Sequence, residues 1–178
     1  MHATRENDQI ILSFRSPENR LMNRVLKAII RNYQIRPEEL SSPGADVWYS
    51  TRGCQTARMS ADETKEWLEN LFQYKSANVR LIEQWLKSVS GRKATQYHVQ
   101  LTLAEAPVLM TALNDHRLLL AARYRIGQGE MDLRSLSALH QLRPVRQAAL
   151  YEIHFLACII EEILRFLPGN PAGWMDSD

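Results

Sequence analysis

Residues that staple, kink or loosen a chain are sparse here: 178 residues hold two cysteines, seven glycines and seven prolines. Cys54 and Cys158 lie too far apart in sequence to form a zinc-ligand pair or a redox motif, and a chain so poor in cysteine reads as one from a reducing compartment. Charge of one sign is also lacking. The formal net charge is +2, which gives no general reason to expect a nucleic-acid or membrane-surface protein. Long apolar runs are missing too. The most apolar stretch, 150–167, is interrupted by Glu152, His154, Glu161, Glu162 and Arg165, which a membrane-spanning helix accepts poorly. The first eight residues contain Arg5, Glu6 and Asp8 and do not read as a leader or an anchor. The expected location is cytoplasmic, with no membrane partner.

Catalytic vocabulary is equally thin. There is no Gly-x-Ser-x-Gly elbow and no phosphate-cradling glycine loop; Gly127 and Gly129 supply two of the three glycines a dinucleotide fingerprint needs, and they follow a helix. The five histidines, His2, His98, His116, His140 and His154, share no ligand spacing. Neither a metal nor a cofactor is expected.

What is present is helical periodicity. Leu21, Val25, Leu26, Ile29, Ile30 and Tyr33 make one face of a first helix opened by Ser16 and Pro17. Ser60 with Glu63 is a capping-box pattern, followed by apolar positions from Trp67 to Val89 with a break expected near 76–78. Thr102 with Glu105 opens a long helix marked by Leu109, Leu113, Leu120 and Tyr124 and ending at Gly127. A short helix is expected over 133–142. Pro144 starts the last helix, where Ala149, Ile153, Leu156, Ile160, Ile163 and Leu167 alternate steps of four and three. Residues 9–14 and 96–101 read as two strands that pair. The expected fold is mainly α, a bundle of four to five helices with a small two-stranded antiparallel ribbon, in one domain spanning 1–178. Residues 41–59 read as a mobile loop displaying Trp48 and Tyr49, and 168–178 as a frayed tail.

The string Leu113-Asn114-Asp115-His116-Arg117-Leu118, followed by Leu120 and Arg123, resembles the bacterial domain-of-unknown-function family two thousand seventeen. Its members carry a leucine, asparagine, aspartate, spacer, arginine, leucine string in a helix and close on an aromatic-rich helix with a glutamate. Asn114, Asp115, Arg117 and Glu161 stand at those positions, while Tyr151, His154 and Phe155 replace the expected tryptophans. The resemblance implies a mostly helical bacterial protein and brings no activity with it.

On a helix, successive residues diverge by about 100°, so Asn114, Asp115 and Arg117 cannot share a face, whereas Leu113, Arg117 and Leu120 can. An arginine on an apolar stripe needs a partner. Glu161, beside the seam of the last helix, is the natural candidate, giving either a structural ion pair or an anion-binding arginine. Arg20, Arg24, Lys27 and Arg31 form a basic face on the first helix, with no interleaved aromatics to stack on bases. The functional expectation is a non-enzymatic interaction or regulatory protein with a protein partner. The alternative is an enzyme with a polar site near Asp115, His116, His154 and Glu161, and the third reading is a nucleic-acid binder through the first helix.

Overall fold

A computed structural model describes residues 1–89, 97–131 and 142–168. The chain begins with β1 (His2–Glu6) and β2 (Gln9–Phe14), joined by Asn7 and Asp8, with Asn7 at φ 54° in the left-handed region that a two-residue hairpin turn demands. β2 also pairs antiparallel with β3 (Tyr97–Thr102), Leu12 opposite Val99, so the sheet has three strands in the order β1-β2-β3. The expected two-stranded ribbon is thus corrected. β1 escapes a hydrophobicity pattern because it is an edge strand with one buried side chain, Ala3, and charged Arg5 and Glu6 on its outer half. The expected pairing of the other two strands is the one found.

Helix α1 (Ser16–Tyr33) starts one residue before the proline, capped at Arg15, whose N–H is taken by the Glu18 carboxylate at 2.8 Å. On its apolar face Met22, Val25, Leu26 and Ile29 are fully buried, and Leu21 and Ile30 partly so. Helices α4 (Ala61–Ala77) and α5 (Val79–Ser88) break at Asn78, where the apolar spacing falters. The Ser60 box forms reciprocally: Ser60 N–H to Glu63 at 2.7 Å and Glu63 N–H to Ser60 Oγ at 3.3 Å. Ser60→Ala should cost about 1 kcal/mol in urea unfolding; an unchanged midpoint would show that this cap contributes nothing.

Segment 41–59 is not the loop its composition suggests. It folds as α2 (Gly44–Trp48) and α3 (Arg52–Thr56), with Trp48, Tyr49 and Cys54 all buried. The two aromatics read as exposed contact candidates instead anchor this segment to the core. Helices this short show no apolar periodicity, because a single turn presents only one or two inward positions.

Helix α6 (Ala106–Tyr124) follows the sheet through a turn in which Thr102 N–H meets Glu105 at 2.8 Å. It ends at Arg125, φ 52°, before α7 (Gln128–Met131), not at Gly127. Helix α8 (Pro144–Phe166) packs along α6 and is the longest of the described elements. Ala149, Ile153, Leu156 and Ile163 of the expected seam are buried, and Ile160 and Leu167 partly so. The main core draws side chains from Ala3 to Ile163; Leu120, Ala121, Ile126, Ala149, Leu150 and Ile153 form a second cluster at the far end of the α6–α8 pair. The expected helix over 133–142, apart from Leu142, and the tail beyond 168 lie outside the described residues. No helix among the described residues is long and apolar enough to cross a membrane.

Candidate functional site

The least expected side chain in the core is Lys75, 3% exposed and the only buried residue of α4. Leu68 and Phe72 precede it at seven and three positions, so the inward stripe of α4 carries a cation where an aliphatic residue is the norm. Such a charge is tolerable only with a partner. Asp115 of α6 supplies it: the Lys75 ammonium pairs with Oδ2, and the Tyr33 hydroxyl donates to the same oxygen at 2.7 Å. The rings of Tyr33, Trp48 and Tyr49 stand 5.0, 5.7 and 6.0 Å from the ammonium, enclosing the cation in electron-rich faces. Trp48 Nε1 donates to the Asp115 backbone oxygen at 2.7 Å, which fastens α2 to α6. Burial, followed by the Asp115 carboxylate, pushes the Tyr33 phenol well above its ordinary value, so the phenol is protonated and acts as a donor. Tyr49 is pushed up to about 12 by burial, by Asp115 and by Glu38, and its buried hydroxyl has no hydrogen-bond partner among the described residues.

One residue further along α6, the next side chain makes a second polar contact. His116 Nε2 lies 2.9 Å from Glu152 Oε1 of α8, and Glu152 Oε2 takes a hydrogen bond from Arg24 of α1 at 2.5 Å. Burial raises the Glu152 carboxyl, but the His116 hydrogen bond and the Arg24 charge outweigh it, holding Glu152 below the ordinary carboxylate range. Consecutive residues Asp115 and His116 thus bind α6 to different sides of the molecule.

The four residues of the alternative enzyme site are not brought together. Asp115 serves Lys75, His116 serves Glu152, His154 Nε2 meets the Met131 carbonyl at 2.9 Å, and Glu161 is exposed. The expected Arg117–Glu161 pair is likewise not formed: Arg117 reaches Asn114 Oδ1 at 3.4 Å, and its buried Nε has no partner among the described residues. The acid that faces α6 from α8 is Glu152, nine residues before Glu161, on the inward side of the seam. Arg20, Arg24, Lys27 and Arg31 are each exposed on α1, with Arg24 paired to Glu152. Among the described residues no three of His, Cys, Asp and Glu gather as a metal site would require. Sequence reading missed Lys75, Tyr33, Trp48, Tyr49 and Glu152; the available signal was a lysine or glutamate at an inward position of an apolar stripe.

Beside the caged lysine, Tyr49 forms part of the wall of an open cleft of about 840 Å³. Arg36 and Glu38 from the turn after α1, Asp46 and Arg52 from 41–59, and Lys65, Leu68 and Glu69 from α4 contribute to the rest, so the folded 41–59 segment and α4 face each other across it. Arg36 is engaged, paired with Glu69 at 3.2 Å and set over the Phe72 ring. Arg52 and Lys65, on opposite walls, have no ion-pair partner among the described residues.

Fold and site together define a mainly helical protein with an antiparallel sheet, organised around a caged lysine and an adjoining cleft. The family model described as Domain of unknown function (DUF2017) matches residues 55–167, and the chain belongs to that family. No curated protein and no solved structure matches it. The matched span holds Lys75 and Asp115, whereas Tyr33, Trp48 and Tyr49, three sides of the cage, precede it.

Proposed function

We propose that this chain is a non-enzymatic interaction protein of the bacterial cytoplasm, and that an acidic segment of a protein partner seats in the cleft between 41–59 and α4. One observation carries the reading: Arg52 and Lys65 line the same cleft from separate elements, and although Glu38, Asp46 and Glu69 line it too, neither cation has an ion-pair partner among the described residues. Acidic side chains entering there would pair with either cation and gain charge-assisted hydrogen bonds while the Arg36–Glu69 pair stays in place. The caged lysine serves this role by holding α2 in place, so that the wall exists before the partner arrives and little ordering cost remains for binding. Two free thiols, Cys54 and Cys158, are in keeping with a reducing compartment.

The test is purification of the tagged chain from its native host, with partners identified by mass spectrometry, beside the variant Arg52→Glu/Lys65→Glu. Both replaced residues are exposed, so the variant should keep the circular dichroism and melting temperature of the parent. The expected result is loss of the main partner from the variant alone. Equal recovery by both proteins would sink the cleft reading, and turnover of a small molecule by the purified chain would favour the enzyme alternative.

A further inference from the structure

Helix α1 carries a second surface that the cleft does not use. Its exposed face bears Arg20, Arg24, Lys27 and Arg31, which together with Asn23 and Ala28 line a shallow groove of about 400 Å³, the Glu152 carboxylate reaching Arg24 from α8 without itself lining the groove. The steps between these cations are four, three and four residues, a row that follows the helix axis for about 16 Å at 1.5 Å per residue. One member is fixed. Arg24 is held by Glu152, itself held by His116, while 68% of the Arg24 side chain stays open to solvent.

From this geometry we infer that the α1 groove docks an acidic helix of a partner protein, with carboxylates repeating at the same four-three-four spacing. Two features select a helix over other polyanions. A four-three-four row has the period of one helix face, and a second α-helix repeats that period at the same rise, so successive carboxylates meet successive cations. The groove also offers no aromatic ring on which a base could stack. Individually such exposed pairs are weak, so selectivity must come from several of them in register. This inference shares with the cleft reading only the idea of a protein partner; the two surfaces have no lining residue in common.

Two synthetic peptides of equal length, composition and net charge test it. In one, four glutamates follow the four-three-four spacing on an alanine-rich helix; in the other, the same glutamates are spread around the helix. Fluorescence anisotropy at about 20 mM salt should show the registered peptide binding roughly tenfold more tightly, equivalent to about 1.4 kcal/mol, chiefly from pairs with Arg20, Lys27 and Arg31 because Arg24 already has Glu152. The tightness should fall with salt. Lys27→Glu/Arg31→Glu should abolish the difference, while Arg52→Glu/Lys65→Glu should preserve it, which separates failure of this inference from failure of the cleft reading. Equal binding of both peptides, no binding of the registered one, or tighter binding of a single-stranded oligonucleotide of similar charge would each overturn the proposal.

Discussion

Replacing Lys75 with methionine is expected to destabilise the fold by about 3–5 kcal/mol, a large share of the roughly 5–15 kcal/mol that holds a domain together. The change fills the space with an apolar chain of similar length but strands the Asp115 carboxylate, whose side chain is 13% exposed, beside Trp48 and Tyr33. Asp115→Asn is expected to cost a comparable amount, because it leaves an ammonium among three rings with no counter-charge. Combining the two removes both charges, and the asparagine oxygen can still accept from Tyr33. The double variant should therefore recover part of the loss, giving a coupling well above the few tenths expected of independent sites. Urea unfolding with an unchanged slope is the appropriate measure. Single-variant costs below about 1 kcal/mol, the range of exposed pairs, would show that the cage does not stabilise the fold.

The second large effect concerns Glu152 and is read against pH. Its carboxyl titrates below the ordinary value of 4.5 in the folded chain, so on acidification the unfolded state takes up this proton first. The stability contributed by the depressed carboxyl is fully present above about pH 4.5 and is lost as pH falls through the folded-state value. Glu152→Gln keeps an acceptor for His116 and removes the charge; it should cost about 1.5–3 kcal/mol near neutrality. That gap should narrow below pH 4.5 and close in stronger acid. A gap that stays constant between pH 3 and 7 would contradict it. Arg24→Ala, by contrast, should cost less than about 1 kcal/mol, since its side chain is mostly in water.

Much of the helical framework was legible from periodicity and caps. The α8 seam and the α4–α5 break at Asn78 needed only apolar spacing, which is a property of one element at a time. Elements that owe their form to a neighbour were not legible. β1 exists because β2 offers it a hydrogen-bonding edge, and α2 because Trp48 reaches the Asp115 carbonyl. The site suffered most from this. An arginine on the α6 stripe pointed to an interhelical pair, but Arg117 lies toward Asn114, and the pairs that tie α6 and α8 to the helices before them are Lys75 with Asp115 and Arg24 with Glu152. A single helix face shows that a charge is turned inward; which acid it meets depends on how the helices are rotated against each other. The Asn114-Asp115 string of the family resemblance did include one member of the caged pair.

That α4 sends only Lys75 into the interior has a consequence for native-state hydrogen exchange. A helix of 17 residues fastened chiefly by one ion pair and a half-buried apolar edge will open at a lower free energy than α6 and α8, whose faces are buried along their length. Its amides should exchange through a sub-global opening, together with those of α2, because Lys75 and Trp48 close on the same aspartate. The two walls of the cleft would then form a single cooperative unit, and a ligand gripping both would slow exchange in α2 and α4 while leaving the α6–α8 pair unchanged.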